Sequence, residues 1–160
     1  TQGYSSAASD VYKRQAKLGY ALNCTVKSRE ISRQTLESFA EKGLNIGCLK
    51  ENSFVYNENF FEFAKSYYEI YGSKVINKND CFAVFDENEN TADVFYSAYE
   101  NINELSALLL ENTKSERFVF TGKSDNAFFE NCQSQKCGMI KSLDKNHKIP
   151  DDVYIGITLS

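Results

Sequence analysis

Between Asn57 and Gly72 the chain reads Asn-Glu-Asn-Phe-Phe-Glu-Phe-Ala-Lys-Ser-Tyr-Tyr-Glu-Ile-Tyr-Gly, and no other stretch constrains the fold so strongly. Phe60, Phe63/Ala64, Tyr67/Tyr68 and Tyr71 recur at helical spacing, which predicts a helix with a wide apolar face. Gly72 supplies a left-handed C-terminal cap. Aromatic burial contributes heavily to domain stability, so this face is read as core. The competing reading is that it lines a ligand cavity or a partner surface.

The remaining elements follow from weaker patterns. Tyr20 to Lys27, with Cys24, Thr25 and Val26, alternates as a short strand. Ser32 offers an N-cap to a helix through Leu36, Phe39 and Ala40, with Gly43 as its C-cap and a loop through Gly47 and Asn52 after it. Cys81–Phe85 and Thr91–Tyr99 read as a hairpin about the polar turn 86–90. Asn101 with Glu104 resembles a capping box, opening a helix that carries Ile102, Leu105, Leu108 and Leu109. A strand is expected over Arg117–Thr121, a short helix over Ala127–Asn131 and a last strand over Val153–Leu159. Pro150 stands just before that strand, where a missing N–H does least harm. The order β, α, α, β, β, α, β, α, β predicts an α/β (α+β) domain with a mixed, largely antiparallel twisted sheet flanked by helices.

Composition narrows the function classes. At 160 residues the chain can bury roughly 70% of its unfolded surface in one domain. Hydrophobic content of 42% and charged content of 25% are those of a globular protein. No apolar run approaches the roughly 18 residues of a membrane span. A net charge of −4 with scattered bases disfavours a nucleic-acid partner and favours a soluble, cytoplasmic protein.

Catalytic and metal-binding patterns are sparse. Cys24, Cys48, Cys81, Cys132 and Cys137 form an odd, irregularly spaced set, which reads as free thiols in a reducing compartment. Cys132 and Cys137 are too far apart in sequence for a zinc knuckle, and His147 provides no obvious fourth ligand. His147 lies among cations in Lys145-Asn146-His147-Lys148 and reads as a solvated turn, not a general base. Asp151-Asp152 and the pair Glu87/Glu89 read as solubility charges, not as acid–base pairs. Gly122-Lys123-Ser124 lacks the upstream glycine of a phosphate loop and reads as a turn.

One phrase is motif-like. Lys17-Leu18-Gly19-Tyr20 resembles the aromatic-x-Lys-Leu-Gly-Phe/Tyr phrase that closes the last helix of a catalytic lobe in the GNAT superfamily of N-acetyltransferases. Over about 16–160, the element order and the ending Gly138-Met139-Ile140-Lys141 and Tyr154–Leu159 resemble the degenerate C-terminal lobe of multi-lobe bacterial members. The resemblance implies a division into 1–15, a non-native or disordered leader; 16–30, the tail of a missing N-terminal catalytic lobe; and 31–160, the degenerate domain. Residues 6–15 of the leader also look like translated sequencing-adapter sequence. In the family, a Gln/Arg-x-x-Gly-x-Gly/Ala loop between a central strand and a helix grips acetyl-CoA through backbone N–H groups. The equivalent junction here, Tyr99-Glu100-Asn101-Ile102-Asn103-Glu104-Leu105, has neither glycine nor base, and its acids would repel a pyrophosphate.

The resemblance therefore implies a parent that transfers acetyl from acetyl-CoA to an amine on a small molecule or protein. This chain would itself hold no catalytic, cofactor-binding or metal residues. It would pack on the missing catalytic lobe and shape the acceptor side of the cleft. The alternative is a stand-alone small-molecule-binding or protein-interaction domain that uses the aromatic helix 60–71.

Overall fold

The computed structural model describes residues 21–42, 57–122, 127–140 and 146. Strand β1 (Ala21–Ser32) is followed by helices α1 (Arg33–Lys42) and α2 (Glu58–Ile70). Strands β2 (Lys74–Lys78), β3 (Cys81–Asn88) and β4 (Thr91–Ala98) come next, then helix α3 (Ile102–Asn112) and strand β5 (Arg117–Gly122). A 3-10 turn (Ala127–Phe129) leads to β6 (Ser134–Ile140). The six strands form one sheet in the order β2-β3-β4-β5-β1-β6. Every pairing is antiparallel except β4 with β5, the two strands joined through α3. The expected α+β architecture with a largely antiparallel sheet is what the chain adopts.

Helices cover the sheet from both sides. On one face α1 and α3 bury Leu36, Ile102, Leu105, Leu108 and Leu109 against Phe85, Val94, Phe118 and Phe120. On the other face Ala64 and Tyr68 of α2 close over Phe82, Val84 and Tyr96. Strand β3 serves both layers, sending Cys81, Ala83 and Phe85 to the first and Phe82 and Val84 to the second. That explains its unbroken apolar run, since a strand buried on both faces has no polar side to alternate with.

Helix boundaries follow capping chemistry. Ser32 Oγ accepts from Thr35 N at 3.2 Å, and Asn57 Oδ1 accepts from Phe60 N at 2.9 Å. Gly72, at φ +91°, turns the chain out of α2. Its N–H donates to Glu69 O and that of Ser73 to Tyr68 O, the paired bonds of a Schellman motif. At the far end of α3, the Arg33 guanidinium takes over the carbonyls that the helix cannot satisfy. Its Nη1 donates to Thr113 O (3.0 Å) and Ser115 O (3.2 Å), and its Nη2 to Leu110 O (3.4 Å).

Several expectations need correction. β2 is a strand that the sequence pattern does not reveal. It is joined to β3 by Asn79 and Asp80, both at positive φ, in a two-residue hairpin turn. β1 runs on to Ser32, five residues past Lys27, and the boundary drawn at 30/31 falls inside it. β3 likewise continues to Asn88, which leaves Glu89 and Asn90 as the turn. Glu87 is thus a strand residue. It pairs with Lys74 and accepts from Ser115 Oγ at 3.3 Å, so it is not a free solubility charge. The short helix is only the 3-10 turn Ala127–Phe129, and β6 precedes the expected last strand. The leader 1–15, Lys17–Tyr20, Gly43, Gly47, Asn52, Lys123-Ser124, Lys141, His147, Pro150–Asp152 and the strand 153–159 lie outside the described residues.

Candidate functional site

In a sheet with a parallel crossover, ligand sites form where the chain leaves the carboxyl end of a strand for a helix. Here that point is the β4–α3 junction. The β4–β5 ladder runs only from Thr91↔Arg117 to Val94↔Phe120, although both strands continue beyond it. A register shift against β3 coincides with the end of the ladder. Phe85 pairs with Val94 and Val84 with Tyr96, which leaves Phe95 as the extra residue of a bulge. Val94 consequently points to the α1/α3 layer while Phe95 and Tyr96 both meet the α2 layer.

The junction is built to hold itself together, not to receive an anion. Asn101, with extended backbone (φ −138°, ψ 128°), caps α3, its Oδ1 accepting from Asn103 N at 3.0 Å. One of the N–H groups an incoming phosphate would need is therefore already occupied. Glu100 and Glu104 are both exposed beside it, with Glu104 in the first helical turn. The buried thiol of Cys81 registers the resulting field. Burial pushes it up to about 11, with further upward contributions from Glu104, Asp80 and Glu100. Three carboxylates thus act on one end of the sheet, and a helix terminus surrounded by negative charge disfavours pyrophosphate.

Cys81 and Cys132 carry free thiols. Among the described residues no group of histidine, cysteine, aspartate or glutamate side chains could hold a metal ion, and no helix is long and apolar enough to cross a membrane. Gly122 has a packing role, since a Cβ there would lie 2.6 Å from Cζ of Phe129 and nearer still to Cε2.

Helix α2 departs from the expectation of an all-core aromatic face. Ala64 and Tyr68 are buried, with Phe60, Phe61 and Tyr67 partly so. Phe61 stacks on Phe82 at 4.6 Å and Tyr68 on Phe95 at 5.5 Å between ring centroids. Phe63, Ile70 and Tyr71, however, are 55%, 81% and 72% exposed. The core line follows 61, 64 and 68, rotated from the centre of the stripe at 60, 63/64, 67/68 and 71. The alternation of Val84 and Phe82 under Ala64 and Phe61 decides that rotation, and helical periodicity alone does not contain it.

Comparison with protein-family models, with curated proteins and with solved structures yields no match.

Proposed function

We propose that this chain is the non-catalytic C-terminal lobe of a GNAT-type N-acetyltransferase, whose parent transfers acetyl from acetyl-CoA to an amine. Support for the family comes from Lys17-Leu18-Gly19-Tyr20 and from the element order read along the sequence over about 16–160. Support for the non-catalytic role rests on one observation above all. The α3 N-terminus is capped by Asn101 and flanked by Glu100 and Glu104, so the site of the family's cofactor loop offers no anion cradle. In this reading the domain packs against a catalytic lobe and shapes the acceptor side of its cleft. The carboxylates of Asp80, Glu100 and Glu104 would draw a protonated amine toward that side by charge attraction.

A second reading has its own support. The exposed Phe63, Ile70 and Tyr71 on α2 suit a protein-interaction domain that acts without a catalytic lobe. Calorimetric titration of the chain with acetyl-CoA tests the leading reading. No saturable heat is expected, and saturable binding at micromolar concentration refutes it.

A further inference from the structure

The end of α2 holds two phenols in contact. Tyr67 and Tyr71 stand four residues apart, neighbours on one flank of the helix. Their ring centroids are 4.8 Å apart with the planes at 45°, and the two side chains share a hydrogen bond. That bond joins hydroxyl to hydroxyl, so the ring carbons beside each oxygen, the Cε atoms, are brought together as well. The backbone of Tyr71 (φ −85°, ψ 3°) stays near helical, and its N–H donates to Tyr68 O at 3.1 Å, which fixes the pair in the last turn. Tyr71 is 72% exposed and Tyr67 is half-buried. The adjacent phenol is placed differently. Tyr68 is buried and its ring stands at 88° to that of Tyr67, 5.4 Å away.

We propose that Tyr67 and Tyr71 form a site of oxidative modification, where a peroxidase with hydrogen peroxide couples the two rings into an intrachain dityrosine. Each phenol gives up one electron and its hydroxyl proton, and the two tyrosyl radicals join through a Cε–Cε bond. The hydrogen on each of those carbons then moves to oxygen and restores both phenols. Hydrogen peroxide takes up the two electrons and two protons and leaves as two molecules of water. In the product the hydroxyls flank the new bond and lie next to one another, the arrangement that the hydrogen-bonded pair already holds. Two directly bonded rings have centroids only a little closer than those of Tyr67 and Tyr71, so coupling needs a small approach and no change of partner. Holding the reacting atoms side by side favours this bond over collision between chains. The link ties residues i and i+4 across the last turn of α2 and is independent of both functional readings.

The test uses the whole chain with a haem peroxidase and hydrogen peroxide. Trypsin cuts after Lys65 and Lys74 and releases Ser66–Lys74, with Tyr67, Tyr68 and Tyr71 in one peptide. Mass spectrometry should find that peptide lighter by two hydrogens, with its fragments placing the link between 67 and 71, and the solution should gain the blue fluorescence of dityrosine. Tyr71→Phe and Tyr67→Phe, each the loss of one hydroxyl with the ring retained, should both abolish the modified peptide. Concentrated urea should lower its yield about tenfold or more by melting the turn that aligns the rings. A link to Tyr68, a modified peptide that survives Tyr71→Phe, a yield indifferent to urea, or coupling only between chains would overturn the proposal.

Discussion

Arg33 joins the start of α1 to the end of α3, and replacing it by methionine should unlatch the two. Methionine keeps most of the aliphatic stem, so the change isolates the guanidinium. Three bonds to carbonyls disappear: Thr113 O at 3.0 Å, Ser115 O at 3.2 Å and Leu110 O at 3.4 Å. A hydrogen bond to a charged group contributes about 1.5–3 kcal/mol where water is excluded. Arg33 is 24% exposed and the Leu110 bond is long, so only two bonds count, each at the low end. Water reaching the freed carbonyls lowers the net cost to about 2 kcal/mol. The ion pair with Glu37, 3.4 Å away and half-exposed on the Glu37 side, adds only a few tenths, about 0.3 kcal/mol. For a domain of this size the midpoint of thermal unfolding should fall by about 4–8 °C. Urea unfolding followed by far-ultraviolet circular dichroism gives the free energy directly. Glu37→Gln should change stability by less than about 0.5 kcal/mol, and Arg33→Lys should recover less than half the loss because an ammonium cannot fork. If Arg33→Met lies within about 0.5 kcal/mol of the native chain, or Glu37→Gln matches it, the latch is not what joins these helices.

Two further predictions test separate parts of the fold. Gly122→Ala should cost about 1–3 kcal/mol, because the new methyl meets the Phe129 ring, and Phe129→Leu in the same chain should restore part of that loss. Urea midpoints of the two single variants and the double variant give the coupling, and simple additivity would show that the ring does not press on this position. Cys81 should make stability fall at alkaline pH. Its thiol is raised from 9.0 to about 11, so the folded chain holds a proton that the unfolded chain has released. The contribution is complete below about pH 9 and is lost as pH climbs toward 11. Cys81→Ala should remove that part of the slope, and an unchanged slope across the window would contradict the assignment.

Local chemistry was the legible part of this fold. Ser32 and Asn101 cap their helices through their own side chains, as their positions before apolar runs imply. Gly72 takes the left-handed turn that only glycine adopts freely. The hairpin of β3 and β4 was visible because β3 is apolar throughout its first five residues and β4 alternates. β2 was not, since Lys-Val-Ile-Asn-Lys presents just two apolar residues in a five-residue strand at the end of the six-strand order. The Asn79-Asp80 turn was its available signal, weaker than one containing glycine. The second half of β1 reads Ser-Arg-Glu-Ile-Ser, and its strand character comes from pairing with β5, some ninety residues away. No local pattern encodes that pairing, nor the place of β1 between β5 and β6. At the candidate site the absence of glycine from 99–105 was plain in the residues. The convergence of Asp80 with Glu100 and Glu104 was not, because it depends on how the β2–β3 turn meets the end of β4.

A residue-resolved titration tests whether the α3 terminus takes a pyrophosphate, which the proposed non-catalytic role requires it not to do. Amide resonances of residues 101–105 should be followed by nuclear magnetic resonance while acetyl-CoA, and separately inorganic pyrophosphate, is added to about 1 mM. The Asn101 cap and the carboxylates of Glu100 and Glu104 predict no saturable shift with either compound. Saturating shifts centred on Asn103 and Glu104 at micromolar acetyl-CoA would mean that the cap opens and the terminus binds that ligand, which would contradict the proposed non-catalytic role.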